Sequence, residues 1–176
     1  MLTIEAEPPG ATGRIEELLD AAFGPGRHLK TAQRLRDGRE PAPGLALVAR
    51  DDRRIVGTLR FWSLRLGGGS PALLLGPVAV DPACQGRGIG SRLIRRGLGL
   101  ATRGGHHRVI LVGDERYYRR FGFRRGLTTG LTLPGPVDRR RFLGLELTAG
   151  ALAGVRGRVR PAGAIAETAP LRRHAA

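Results

Sequence analysis

The residues with the clearest chemical potential lie between Gly76 and Ser91, in the run Gly-Pro-Val-Ala-Val-Asp-Pro-Ala-Cys-Gln-Gly-Arg-Gly-Ile-Gly-Ser. An apolar stretch ends at Val80, Asp81-Pro82 breaks it, and Gln85-Gly86-Arg87-Gly88-Ile89-Gly90 opens a helical pattern. Glycines without Cβ atoms let a ligand approach the backbone, and the first N–H groups of a helix have no partners inside it. Gln85 to Ser91 therefore describe an anion site that suits a pyrophosphate. Arg87 and Arg92 can add charge-assisted contacts to phosphate. The glycines fall at 86, 88 and 90 with serine at 91, so the dinucleotide spacing Gly-x-Gly-x-x-Gly is not met.

Other chemistries are excluded by what is missing. The lone lysine, in Leu29-Lys30-Thr31, is not part of a Walker loop. Ser63, Ser70 and Ser91 lie outside any Gly-x-Ser-x-Gly elbow. One cysteine, Cys84, rules out an internal disulfide and a cysteine-rich metal site, and the histidines form no His-Glu-x-x-His pair, so no metal is expected. No apolar run reaches the roughly 20 residues of a spanning helix. The N-terminus carries acids where a signal peptide has bases, and the expected compartment is the cytoplasm. A net charge of +15 invites a nucleic-acid reading, and eight arginines face two glutamates over 139–176. Nearly every base is arginine, however, which also fits a GC-rich genome, and 5% aromatic content leaves few stacking platforms.

The elements that must position the glycine run are legible as periodicities. Leu2 to Glu7 alternates as a strand, and Ile15, Leu18, Leu19 and Ala22 share one helical face. A second, basic helix is expected from His28 to Asp37. Leu45–Arg50 and Ile55–Leu66 form a hairpin around Asp51-Asp52-Arg53-Arg54. Leu73–Val80 is a strand covered on both faces, and Gly88–Arg103 an amphipathic helix weakened by Gly97 and Gly99. Val109–Val112 is a strand, Tyr117–Arg120 a short helix, and Phe123–Leu127 and Arg141–Leu147 a last pair of strands. The order gives a mixed α/β sheet. With 176 residues, one domain over 1–160 and a basic, flexible tail over 161–176 are expected.

The glycine run resembles the acetyl-CoA signature Gln/Arg-x-x-Gly-x-Gly/Ala of the GCN5-related N-acetyltransferases (GNAT), with Gln85, Gly88 and Gly90 at its fixed positions. Tyr117-Tyr-Arg-Arg-Phe-Gly-Phe123 is similar to the family's Tyr-x-x-x-Gly-Phe. Leu75–Val80, Val112-Gly-Asp114 and Phe142–Leu147 followed by Gly150-Ala-Leu152 look like its YhbS-like branch. The resemblance implies a mostly antiparallel sheet that splays to admit acetyl-CoA, and direct acetyl transfer to a primary amine of a small molecule or protein. It puts the pantetheine arm along Val78-Ala79-Val80 and the pyrophosphate on the backbone of Gln85, Gly86, Arg87, Gly88, Ile89, Gly90 and Ser91. Pro77 has no N–H, so the oxyanion donor falls to Val78 or a neighbour. Tyr118, four residues before Gly122, matches the proton-donating tyrosine, with Tyr117 the poorer candidate.

Five residues compete for a general base. His106 and His107 precede a strand, Asp114 and Glu115 follow it at the cleft-side end, and Glu146 lies inside the apolar strand 142–147. Cys84 falls at the phosphate end, where a free loop thiol is expected rather than an acyl carrier. The loops that would shape the acceptor pocket, around 24–44 and 128–141, carry no specificity motif. Arginine pairs 119–120 and 124–125 can hold an anionic acceptor. A nucleic-acid-associated acetyltransferase and a non-catalytic CoA-binding or RNA-binding protein are the alternatives, as monomer or homodimer.

Overall fold

A computed structural model describes residues 1–167. The main sheet runs β1 (Leu2–Ala6), β2 (Ala46–Asp51), β3 (Arg54–Leu66), β4 (Ser70–Val80), β5 (Arg108–Val112) and β7 (Phe142–Glu146) in spatial order. Every neighbouring pair is antiparallel except β4–β5. Helices α1 (Thr12–Phe23), α2 (Ile89–Arg103) and the short α3 (Glu115–Tyr118) flank it. β6 (Leu131–Thr132) and β8 (Gly157–Arg158) make a small second sheet, and β9 (Arg160–Pro161) pairs with β3. This is the mixed, mostly antiparallel α/β architecture that the sequence predicts.

The continuous apolar run in β4 reflects burial on both faces. Leu73 and Leu75 pack with Leu93, Ile94 and Phe61 beneath α2, while Leu74 packs with Trp62, Ile110 and Phe142 on the opposite face. Ile15, Leu18 and Leu19 of α1 cover Val48, Ile55 and Ala79. The hairpin, the first helix and α2 lie where periodicity puts them, within a residue or three at each end.

Three local expectations are corrected. Residues 28–37 do not form one helix but two 3₁₀ turns, Pro25–Leu29 and Thr31–Leu35, separated by the extended Lys30. The Thr31 hydroxyl donates to the Pro136 carbonyl and Arg34 Nη1 donates to Pro134 O at 2.8 Å. Tertiary anchors thus override a helix too short to be stable alone. Phe123–Leu127 is not a strand. Arg124 makes one bridge to Gly144, and the chain then turns through Arg125–Thr128, held by the Thr128 hydroxyl donating to Phe142 O at 2.7 Å.

The segment expected as a tail from 161 also begins inside the fold. Ala162 N–H donates to Ser63 O at 3.0 Å and Ala166 N–H to Gly38 O at 3.0 Å. The remainder, 168–176, lies outside the described residues.

Candidate active site

The site is made by strands that part. Among the described residues, β4 and β5 pair only at Leu73–Val109 and Leu74–Ile110, and beyond Leu75 the β5 side of β4 has no strand partner. On its other side β4 stays bonded to β3, with register Thr58–Ala79 and Gly57–Val80 after an irregularity near Leu59/Phe61. Asp81 N–H donates to Val56 O at 2.8 Å. Antiparallel alternation then turns the Ala79 N–H toward β3 and the N–H groups of Val78 and Val80 toward the gap. Gly76, at φ 122°, adopts a backbone conformation that only glycine holds easily, and its carbonyl accepts from Trp62 Nε1 at 2.6 Å.

At the far end of β4 the glycine run forms a cradle. Asp81 is buried, and its carboxylate accepts from Ala83 N–H at 3.0 Å while pairing with Arg14 at 3.1 Å and Arg54 at 2.7 Å. A 3₁₀ turn over Pro82–Cys84 follows, then Gly86 and Gly88 at φ 78° and 71°, then α2. A Cβ at either glycine would meet nothing within 4 Å, so the loop faces open space. Among the described residues, no backbone N–H from Gly86 to Ser91 has a protein acceptor, and Arg92 N–H is the first to be satisfied within α2, by Gly88 O at 3.1 Å. Unsatisfied donors and the positive end of the helix dipole coincide.

Side chains around the cradle are more committed than their sequence positions imply. Arg87 pairs with Asp51 at 2.9 Å, so its guanidinium is drawn to the β2–β3 hairpin rather than left free for phosphate. That pairing raises the Arg87 pKa and holds the half-buried Asp51 carboxyl below its usual range. Arg92 is exposed. Ile89 and Cys84 are buried in the core beneath α2, so Ile89 offers only its N–H and Cys84 is not an exposed loop thiol.

The adjacent tyrosines part company. The Tyr117 hydroxyl reaches the cradle, 3.5 Å from Ser91 Oγ. Tyr118 instead lines a cavity of about 500 Å³ together with Pro77, Val78, Gly113 and Asp114. Burial pushes the Tyr118 phenol up to about 12, with Tyr117 adding to the rise and Arg141 opposing it. The cavity is roofed by Phe23 at the end of α1 and by segments within 27–36 and 136–141, the two segments lying inside the loops expected to shape an acceptor pocket. Two of its residues, Arg36 and Arg141, gave no signal in the sequence, because their roles depend on which loops meet over the gap.

Of the five candidate bases, the structure brings only Asp114 to this cavity. Its carboxylate caps α3 by accepting from Arg116 N–H at 3.0 Å. Glu115 pairs with Arg125 at 3.5 Å, and Glu146 accepts from Gly150 and Leu152 N–H groups, fastening the following loop. His107 bonds Thr148 at 2.8 Å, and with His106 it precedes β5, at the end of that strand opposite Asp114. Arg119, Arg120, Arg124 and Arg125 do not line the cavity. A larger groove of about 660 Å³ lies beside α1, but its Arg14, Arg50 and Arg54 are paired with Asp81 and Glu5.

A splayed sheet with one parallel pair at the gap, a glycine cradle opening a helix, and a tyrosine across from the free strand edge define an acyltransferase architecture. The chain belongs to the acetyltransferase (GNAT) family, whose model matches residues 13–123. It is 29% identical over 160 residues to the N-acetyltransferase YhbS of Escherichia coli, covering 90% of this chain and 95% of that protein. It is 35% identical over 112 residues to Escherichia coli YjhQ, also named an N-acetyltransferase, and that match spans 62% of either protein. Both relatives are themselves uncharacterised. The crystal structure of Escherichia coli YhbS in complex with CoA superposes with a TM-score of 0.78 at 30% identity, covering 92% of this chain and 89% of that one. A Brucella melitensis GNAT acetyltransferase in complex with acetyl-CoA gives 0.61 at 30% identity, covering 96% and 97%.

Proposed function

We propose that the protein transfers the acetyl group of acetyl-CoA directly to a primary amine. The observation that carries this reading is the continuous row of unsatisfied N–H groups from Gly86 to Ser91 beside the unpaired edge of β4. That row suits a pyrophosphate, and the free edge suits an extended amide-bearing arm. Relatives crystallised with CoA and acetyl-CoA support the same cosubstrate.

In this reading Gly86, Gly88 and Gly90 allow close approach, while Val78 and Val80 present N–H groups along the arm. The Val78 N–H stabilises the oxyanion as the amine nitrogen adds to the thioester carbon. When the C–S bond breaks, its electron pair stays on sulfur and Tyr118 donates a hydrogen bond to it. A phenol near 12 cannot give its proton fully to a thiolate of pKa about 8.5 without a penalty of roughly 4–5 kcal/mol. Tyr118 therefore acts chiefly as a hydrogen-bond donor, and the amine's own proton ends on the sulfur or in water. The amine must lose its charge before attack, and Asp114 supplies the carboxylate at the cavity wall through which a water can carry that proton.

Calorimetric titration with acetyl-CoA at near-physiological salt tests this directly. Saturable 1:1 binding by the wild type, lost in Gly88→Glu with an unchanged circular dichroism spectrum, is the expected result. Absence of binding by the wild type would sink the reading.

A further inference from the structure

The cavity that Tyr118 lines carries an uneven set of charges. Arg27 is held between Glu16 and Asp20, and the neighbouring Arg60 is bidentate with Glu7 at 2.8 and 2.6 Å. Asp138 is taken by Arg140 at 3.1 Å and by the Arg140 N–H at 3.0 Å. Lys30 lies over the Phe23 ring, 4.8 Å from its centroid. What remains is Arg36 and Arg141 on one side of the balance and Asp114 on the other.

Arg36 is the unusual group. It is partly buried, and among the described residues its one side-chain partner is the Gln33 amide oxygen at 2.9 Å. Asp37, next in the chain, turns its carboxylate to the Gln33 amide instead, at 2.7 Å. Burial lowers the Arg36 pKa to about 10, Asp37 opposes this, and Arg27 and Arg60 add to it, yet the group stays cationic at neutral pH. A sequestered guanidinium beside two others is costly unless an anion completes its hydrogen bonds. Arg141 has no ion pair among the described residues and lies close enough to Tyr118 to favour the phenolate form.

We infer that the acceptor is a small primary amine carrying an anionic group, a carboxylate or a phosphate, which Arg36 binds and Arg141 helps to attract, while Asp114 faces the amine. This rests on the acetyl-transfer reading of the same cavity. A volume of about 500 Å³ takes a small molecule rather than a folded surface. The planar fork of Arg36 matches the paired oxygens of either anion. An acceptor with a cation at that end would leave Arg36 unpaired and add a repulsion, so the same residue excludes diamines.

The test uses the full chain saturated with CoA, which prevents turnover, and titrates it calorimetrically with matched amines. One arm sets α-amino acids against their carboxamides; the other sets phosphoethanolamine against ethanolamine. The expected result is saturable binding of at least one anionic amine, at least tenfold tighter than its neutral counterpart. Which arm shows it tells carboxylate from phosphate. Arg36→Gln removes the difference while CoA affinity stays within twofold, and Arg36→Lys restores part of it. If CoA binds but the anionic members show no preference, or if Arg36→Gln weakens both members equally, the assignment is overturned alone. If the wild type does not bind CoA, the reading beneath it falls too.

Discussion

Tyr117 and Tyr118 touch edge to face, with ring centroids 5.0 Å apart and planes at 89°, yet their hydroxyls serve different places. The Tyr117 hydroxyl faces Ser91 at the glycine cradle, and it lies 3.3 Å from where a Gly90 Cβ would be. Tyr118 enters the cavity over Val78, with its ring also packed against Phe123, centroids 5.9 Å apart. Tyr118→Phe should lower kcat roughly a hundredfold, the range of a lost hydrogen-bond donor to developing charge, with acetyl-CoA affinity within about twofold. Tyr117→Phe should leave kcat within about threefold. Steady-state kinetics on both variants separate the two roles, and equal losses would refute the division.

The raised Tyr118 pKa fixes the direction of two pH effects. The phenol stays protonated through pH 10, so kcat should rise with pH as the amine deprotonates, with no Tyr118-dependent fall below about pH 11. Stability runs the other way. An unfolded tyrosine ionises near 10 while the folded one resists to about 12, so its contribution is complete below 10 and lost between those values. In urea titrations, wild type should therefore lose stability relative to Tyr118→Phe as pH rises from 9 to about 11.5. A constant gap would argue against the shift.

Gly97 and Gly99 look alike in the sequence, and the structure separates them. A Cβ at Gly97 would lie 2.5 Å from Phe61 Cε2 and 2.9 Å from Leu59 Cδ2, whereas one at Gly99 would meet only the tip of Arg103 at 3.6 Å. Gly97→Ala should destabilise by about 1–3 kcal/mol through overpacking. Gly99→Ala should stabilise by about 0.5–1 kcal/mol, the ordinary helix gain. Thermal midpoints moving in opposite directions would bear this out.

Asp81 ties three elements together through Arg14 of α1, Arg54 of β3 and the turn that begins the cradle. Asp81→Asn keeps an acceptor for Ala83 N–H and removes the charge, which should cost about 2 kcal/mol. Arg54 is well exposed, so part of that loss should shrink in 0.5 M salt. Acetyl-CoA affinity should fall too, because the cradle starts at this residue. A stability loss with unaltered binding would mean the loop holds its shape without Asp81.

Arg87 is held by Asp51 at 2.9 Å, which makes a counterintuitive substitution informative. Arg87→Ala should weaken acetyl-CoA binding less than threefold. Asp51→Ala frees the guanidinium beside the cradle and should tighten binding severalfold at low salt, where charge interactions are least screened. Calorimetry at two ionic strengths decides it.

Periodicity and local chemistry were enough to locate most of the sheet, both main helices and the glycine cradle, because each depends on neighbours within a few residues. Alternation in β1 and the double-sided burial of β4 follow from side-chain type, and Gly86 and Gly88 announce left-handed turns before α2. The motif alone also brought Val78 and Tyr118 forward. It could not show that Ala79 turns its N–H to β3, that Arg87 answers to Asp51, or that Asp114 is the candidate base at the cavity. Those outcomes belong to tertiary structure, since each pairs residues distant in the chain. Residues 28–37 make the point most clearly. Their local pattern reads as a helix, but Thr31 and Arg34 find carbonyls at Pro136 and Pro134, and those long-range bonds turn the segment into a roof that carries Arg36 over the cavity.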